Sequence, residues 1–270
     1  MISPVHMIVA PILIPLISGA IMLLYDERRR RLKQGIGLAS CGLQLVVAIA
    51  LILRAKDSGD AVSLYLLGDW ASPYGIVLVL DRLSAVMLLL GSLLALPSLL
   101  YAGARWHRNG QHFGPLFQFL LMGVNGAFLT GDLFNLFVFF EVMLAASYGL
   151  LLHGTGRARV GAGLHYIAIN LLAAMLFLLG VSLIYGVTGT LNMADLAMRV
   201  PLLSDADRPL IHAAAVLLAG AFLIKSAMWP LCFWLPNAYS AAAPPVAAVF
   251  SIMTKVGVYT VIRLGMLLFG

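Results

Sequence analysis

Three ionisable residues lie inside long apolar stretches of the sequence: Glu141, Lys225 and Lys255. A charged side chain at the centre of a membrane helix costs about 2.5–3.5 kcal/mol on insertion scales. Residues retained at that cost predict an ion or proton path through the protein. A buried salt bridge that only fixes helix packing is the structural alternative, but two lysines and one glutamate cannot all pair with one another.

The neighbours of Glu141 suit a proton-transfer role. Apolar and aromatic side chains flank it on nearly every side, in the run Phe134-Asn135-Leu136-Phe137-Val138-Phe139-Phe140-Glu141-Val142. A carboxyl group in such surroundings responds strongly to a nearby cation, and lysine, unlike arginine, can release its proton there. A change in the distance between Glu141 and Lys225 is therefore expected to load or unload a proton.

The segment after Lys225 is unusually rich in proline for a membrane helix. Each proline removes a backbone donor and clashes with the preceding turn, so we expect a helix break between about Trp229 and Ala243. Broken helices are tolerated where they line a cavity, and transporters place ion sites there. A proline-rich loop outside the membrane is the alternative. The four prolines fall within 16 residues, at Pro230, Pro236, Pro244 and Pro245.

Other polar residues give weaker signals. His165, about one turn into its apolar stretch, is a candidate proton relay, with a packing histidine as the more ordinary interpretation. His153 is expected in a solvated loop, and Asp132 is expected to provide the N-terminal charge of a helix. Asp81 and Arg82 are expected to form an interfacial pair, and Arg263 to snorkel to the outer interface. The two cysteines, Cys41 and Cys232, build neither a disulfide framework nor a metal site.

The composition defines the elements that must position these residues. Hydrophobic residues make up 62% of the 270 residues and charged residues 10%, whereas soluble domains carry roughly 25% charge. This excludes a soluble enzyme, a disordered chain, a coiled coil and a disulfide scaffold. The fold class is an all-α polytopic bundle, because the apolar runs are too long and unalternating for a membrane barrel. The eight runs are 4–24, 34–53, 75–100, 114–130, 131–152, 161–187, 209–229 and 245–269.

The basic residues predict the orientation of the bundle. The first, third and fifth loops hold nine Lys and Arg residues, against four in the second and sixth loops. The odd loops are therefore expected in the cytoplasm and both termini outside. The same asymmetry explains the net charge of +6, so no nucleic-acid partner is expected. The run from Ile8 to Leu24 lacks a basic segment before it, which favours a first membrane span over a cleaved signal peptide.

Three stretches together resemble a known family. They are Gly131-Asp132-Leu133-Phe134-Asn135 with the following glutamate, Lys225-Ser226-Ala227 through Phe233-Trp234-Leu235-Pro236, and Thr254-Lys255-Val256-Gly257-Val258-Tyr259. They look like the antiporter-like proton-channel family, which comprises large membrane subunits of respiratory complex I, hydrogenase membrane arms and Mrp cation/proton antiporters. Within it the sequence is most similar to the D-type subunit of the Mrp antiporters. Cys232 stands where complex I members often carry a histidine.

The resemblance implies roles for the intramembrane charges. Glu141 matches the glutamate that tunes the channel lysine, Lys225 matches that lysine, and Lys255 matches the lysine that passes protons onward. It also implies three N-terminal helices in 1–113 and a first antiporter-like repeat in 114–270, with the second inverted repeat of the family absent.

The same resemblance implies a setting for the protein. The expected partners are other subunits of a hetero-oligomeric complex, protons, Na⁺ or K⁺ and the lipid bilayer, in the plasma membrane of a prokaryote. No cofactor and no enzyme activity are expected. The alternative function is a proton-translocating membrane-arm subunit of an NADH:quinone oxidoreductase or hydrogenase complex.

Overall fold

Apolar helices make up most of the structure, as the composition requires. The computed structural model describes residues 4–57, 62–70, 74–104, 111–154 and 156–268. These residues form an all-α membrane-type bundle with one small two-stranded sheet. In chain order the elements are α1 (Ala10–Leu24), α2 (Arg30–Asp57), β1 (Ser63–Leu66), β2 (Val77–Leu80), α3 (Arg82–Ala104), α4 (Phe113–Leu129), α5 (Leu133–Leu151), α6 (Arg157–Thr188), α7 (Met193–Arg199), α8 (Arg208–Lys225), α9 (Leu235–Ala241) and α10 (Pro244–Leu268).

Six of these helices are long and apolar enough to cross a bilayer by themselves, namely α2, α3, α5, α6, α8 and α10. Two shorter apolar helices, α1 and α4, have 15 and 17 residues. A helix rises about 1.5 Å per residue, so these two cover less than the roughly 30 Å of a hydrocarbon core. Each of the eight apolar helices overlaps one of the eight apolar runs of the sequence, while α7 and α9 are short helices of 7 residues each.

The third apolar run begins as a strand and not as a helix. Strand β2 pairs antiparallel with β1, with Ser63 opposite Leu80 and Leu66 opposite Val77. Helix α3 starts only at Arg82, because Asp81 and Ser84 cap it reciprocally. The carboxylate of Asp81 accepts from the Ser84 N–H at 2.7 Å, and the Ser84 hydroxyl accepts from the Asp81 N–H at 2.9 Å. The expected helix from residue 75 was therefore wrong at its start.

The connections at one end of the bundle are joined by backbone hydrogen bonds. The Gly131 N–H donates to the Val77 carbonyl at 2.8 Å, and the Met193 N–H donates to the Gly131 carbonyl at 2.9 Å. The chain turns tightly between α4 and α5. The expected role of Asp132 at the start of α5 is confirmed, because its side chain accepts from the Asn135 N–H at 2.7 Å. This end of α5, the helix that carries Glu141, is thus held in place.

A buried polar network attaches α1 and α2 to α4. Ser18 donates to Ser40 at 3.0 Å, and Ser40 donates to the amide oxygen of Gln118 at 3.0 Å. The amide of Asn125 donates to Gln44 at 3.0 Å, and all five residues are buried. Side-chain hydrogen bonds of this kind hold helices together where the lipid provides no hydrophobic driving force.

Candidate proton-transfer site

The structure brings Glu141 and Lys225 together. The Nζ atom of Lys225 lies 3.8 Å from Oε1 of Glu141, with the lysine side chain 2% exposed and the glutamate side chain 32% exposed. This distance is an ion-pair contact but exceeds the 2.7–3.2 Å of a hydrogen bond. Among the described residues, neither of these two atoms has a hydrogen-bond partner. The pair is therefore close enough to interact electrostatically, yet no hydrogen bond locks it.

Lys225 is the last residue of α8, and the helix break follows it at once. The break was expected from about Trp229, so it begins about one turn earlier than the prolines alone suggested. The ring of Pro230 explains the shift, because in a continuous helix it would clash with the carbonyl four residues before it, that of Ser226. Regular helix resumes only at Leu235, the first residue of α9.

The end of α8 has the hydrogen bonds of a Schellman motif. The Met228 N–H donates to the Leu223 carbonyl at 3.1 Å, and the Ala227 N–H donates to the Ile224 carbonyl at 3.0 Å. Ala227 supplies the left-handed residue with a φ of 52°, a position that usually belongs to glycine. The carbonyls left free by the break are thus bonded locally, and the helix end is well defined.

Three features of this helix end favour a cation at Lys225. The last carbonyls of α8 carry partial negative charge, which stabilises a positive side chain in the last turn. The Nζ atom also lies 5.1 Å from the centre of the Phe140 ring, within the range of a cation–π contact. The carboxylate of Glu141 is the third feature. The indole N–H of buried Trp234 closes the turn by donating to the Ile224 carbonyl at 3.0 Å.

The remaining prolines start helices and do not interrupt them. Pro236 lies in the first turn of α9, and Pro244 and Pro245 are the first two residues of α10. Proline is well tolerated at these positions, because the missing N–H would have had no partner inside the helix. The segment expected as a break up to Ala243 therefore contains the short helix α9.

Lys255 is separate from the pair in the described part of the chain. It lies on α10 with an exposed side chain, and its Nζ atom donates to the Thr254 hydroxyl at 3.4 Å. It has no ion pair among the described residues. Two residues further along α10, Gly257 lies directly against the end of α8, where an added Cβ would be 2.9 Å from Ser226.

The structure places the two histidines, His165 and His153, in different surroundings. The ring of His165 is half-buried and lies 5.8 Å from the ring of Phe233, so the structure gives it an aromatic packing partner. The expectation that His153 is solvated was wrong. His153 is buried, with its ring 5.1 Å from that of Phe113, because it lies just past the end of α5, which packs against α4.

An ion pair that the sequence did not predict connects α3 to α10. Arg263, expected to snorkel, places Nη1 2.6 Å from Oδ2 of Asp81. Burial alone would raise the pKa of the Asp81 carboxyl, but the Ser84 N–H and the Arg263 guanidinium outweigh it and hold that pKa below its usual value. The two residues are 182 positions apart, so no local pattern could have indicated the pair.

Comparison with known proteins assigns the chain to a family. The sequence profile described as "NADH:quinone oxidoreductase/Mrp antiporter, TM" matches residues 130–270, just over half of the chain. The chain belongs to this family. The matched region of this family member starts at the turn before α5 and includes Glu141, Lys225 and Lys255.

Relatives in the family include antiporter subunits and, at 36% identity over 96% of this chain, the NADH-quinone oxidoreductase subunit N of Desulforudis audaxviator (strain MP104C). The chain is 58% identical to the D subunit of a probable K⁺/H⁺ antiporter from Rhizobium meliloti (strain 1021), over 98% of this chain and 50% of that protein. It is 41% identical to the D subunit of a Na⁺/H⁺ antiporter from Alkalihalophilus pseudofirmus, over 98% of this chain and 53% of that protein. The chain thus spans about half the length of the curated relatives it matches.

A solved structure supports the same relationship. A chain in the structure of the Mrp complex from Dietzia sp. DQ12-45-1b superposes with a TM-score of 0.89 at 36% sequence identity. The match covers 98% of this chain and 49% of that chain. The helical arrangement described above is therefore that of a multi-pass membrane protein of this family.

Proposed function

We propose that this chain belongs to the D-type subunit of a multisubunit antiporter that exchanges Na⁺ or K⁺ for protons, and that it conducts the protons. The observation that carries the proposal is the Lys225–Glu141 contact of 3.8 Å at the broken end of α8. The names of the relatives supply the transported ions, since one is called a K⁺/H⁺ antiporter component and another a Na⁺/H⁺ antiporter component. The subunit is a transporter component and not an enzyme.

In the proposed mechanism, Lys225 holds the transported proton and Glu141 sets how tightly it is held. At 3.8 Å and an effective dielectric constant of about 20, the two charges attract each other by roughly 4 kcal/mol. An increase in this distance weakens the attraction, so Lys225 then releases its proton more readily. Because Glu141 is not hydrogen-bonded to Lys225, such a movement breaks no directional contact.

Lys255 is the proposed next member of the path. An exposed lysine on an apolar helix costs about 2.5–3.5 kcal/mol if it faces lipid at the bilayer centre. We therefore infer that another part of the antiporter assembly covers this face of α10. His165 stays a candidate relay, and the contact that the structure gives it is the aromatic one with Phe233.

The proposed topology has eight membrane spans, with α8 and α9 as the two parts of a discontinuous seventh span. Basic residues at the start of α2 and of α6 support a cytoplasmic location of those ends. The N-terminus then lies outside the plasma membrane of the prokaryotic cell. The first three spans occupy 1–113, and the antiporter-like repeat occupies 114–270, beginning in the first turn of α4.

Cation-dependent proton flux in everted vesicles of the assembled complex tests the proposal. Glu141→Gln and Lys225→Ala should each abolish the flux while assembly persists. Glu141→Asp should keep part of it, whereas Lys225→Arg should fail because arginine keeps its proton. Near-normal flux with Lys225→Arg would show that Lys225 is a fixed counter-charge and not a proton carrier.

The family name also covers NADH:quinone oxidoreductases, and these are the second candidate. An imposed Na⁺ or K⁺ gradient should drive proton flux in the absence of any electron donor if the chain serves an antiporter. A membrane-arm subunit would instead translocate protons only while the redox reaction turns over. Flux that requires NADH and quinone would therefore contradict the antiporter assignment.

A further inference from the structure

We propose that Tyr148 conducts protons between the Glu141–Lys225 pair and the Leu151 end of α5, an inference that rests on the proposed function. The hydroxyl of Tyr148 is buried and has no hydrogen-bond partner among the described residues. The same is true of Oε1 of Glu141 and Nζ of Lys225. Three buried polar atoms thus lack a hydrogen-bond partner, two of them on α5 and the third at the end of α8.

Helix geometry places Tyr148 in line with Glu141. The two residues are seven positions apart on α5, which is two turns on the same face and about 10.5 Å along the axis. Helical side chains lean towards the N-terminus of their helix, so the long tyrosine side chain spans part of that distance.

A neighbouring tyrosine shows what a purely structural hydroxyl looks like here. The ring of Tyr166 lies 5.4 Å from that of Tyr148, edge to face. Its hydroxyl is 2.9 Å from the Ser147 hydroxyl, which itself donates to the Leu144 carbonyl at 2.6 Å. Tyr166 is therefore the donor to Ser147, and its hydrogen-bonding capacity is used within the protein.

The Tyr148 hydroxyl, in contrast, is available to exchange a proton. A buried hydroxyl without a partner costs stability, so packing alone does not account for it. In the proposed step its oxygen accepts a proton from hydronium on the Leu151 side, which becomes water, while its own proton passes to a water molecule on the Glu141 side, which becomes hydronium. One O–H bond forms and one breaks, and the tyrosine ends neutral and unchanged. In the proposed topology the Leu151 end is cytoplasmic, so Tyr148 serves the cytoplasmic half of the path.

Tyr148→Phe removes the hydroxyl and keeps the ring, and it should lower cation-driven proton flux in everted vesicles roughly tenfold or more. The solvent deuterium isotope effect on the flux should rise, because proton transfer then limits the rate. Tyr239→Phe is the matched control, since that part-buried hydroxyl already donates to the Phe250 carbonyl at 2.5 Å. It should keep wild-type flux and an unchanged isotope effect.

Two further variants decide between the possible results, with flux expressed per assembled complex. Tyr148→His restores a proton-exchanging atom and should recover flux relative to Tyr148→Phe, whereas equally low flux in both would overturn the proposal. Wild-type flux and isotope effect in Tyr148→Phe would also overturn it. Glu141→Gln is measured in parallel: if it abolishes flux while Tyr148→Phe does not, only the role of Tyr148 fails, and if it keeps flux, the proposed function fails as well.

Discussion

Gly257 of α10 lies against the broken end of α8, and replacing it with alanine should push the two helices apart. The added Cβ would lie 2.9 Å from both Cβ and the backbone N of Ser226, and 3.1 Å from the Phe222 carbonyl oxygen. Ordinary contact begins at 3.4 Å, so the helices must separate by about 0.5 Å or more, because backbone atoms cannot turn away. Overpacking of this kind costs about 1–3 kcal/mol.

The overpacking caused by Gly257→Ala should lower both the stability of the protein and its proton flux. Alanine also stabilises the helix by up to about 1 kcal/mol through its higher helix propensity. The net loss of stability is therefore smaller than the overpacking cost alone. Ser226 directly follows Lys225, and a shift of this helix end changes the distance to Glu141. Since a misplacement of about 1 Å at a reacting group can lower a rate about 100-fold, we expect proton flux to fall several-fold.

Gly265→Ala is the matched control on the same helix. An added Cβ at Gly265 meets no described atom within 4 Å, so only the gain in helix propensity applies, up to about 1 kcal/mol. Thermal unfolding of the purified complex and proton flux in vesicles should separate the two variants. Equal stability and equal flux in Gly257→Ala and Gly265→Ala would refute the close contact between α10 and the end of α8.

Three further predictions concern neighbouring contacts. Ala227→Gly removes the strain of the left-handed backbone conformation and should raise the unfolding free energy by up to about 1 kcal/mol, whereas Ala227→Val should lower it. Equal thermal stability of the two variants would contradict the Schellman geometry. Trp234→Phe leaves the Ile224 carbonyl without the indole donor and should cost about 1 kcal/mol in the same assay. The pKa of Asp81 is held below its usual value, so the stabilisation by Asp81 is present above the ordinary aspartate range and is lost as pH falls through the lowered pKa. The stability difference between wild type and Asp81→Asn should therefore shrink on acidification, and a difference that does not change between neutral and strongly acidic pH would contradict this.

Much of the architecture follows from composition and local chemistry. The apolar runs predicted the eight apolar helices, and Asp132 predicted the start of α5, because a side-chain cap acts within one turn. The start of α3 was missed because hydropathy alone does not separate a short buried strand from a helix. The reciprocal cap between Asp81 and Ser84 was readable from the sequence and would have placed the boundary correctly.

The residues of the candidate site could be predicted from the sequence, but their geometry could not. The cost of intramembrane charge singled out Glu141, Lys225 and Lys255. Opposite charge allows Glu141 to pair with either lysine, and the contact with Lys225 depends on how α5 and the end of α8 pack. The ion pair of Asp81 with Arg263 depends on how α3 and α10 pack, which no local pattern encodes. Tyr148 was missed for a similar reason, since a tyrosine in an aromatic-rich helix is ordinary until its hydroxyl is found without a partner.

The break after α8 places Lys225 at a helix end, where its charge has more than one source of stabilisation. In the middle of a continuous helix, an intramembrane lysine depends on its counter-ion for nearly all of its stabilisation, so moving that counter-ion carries a large cost. At the C-terminus of α8 the helix carbonyls and the Phe140 ring supply part of that stabilisation. Glu141 can then move relative to Lys225 at a smaller cost, as the proposed role of Lys225 as a reversible proton carrier requires. The Schellman turn also leaves the lysine ammonium free of a hydrogen bond to the helix end, because backbone N–H groups bond the carbonyls there.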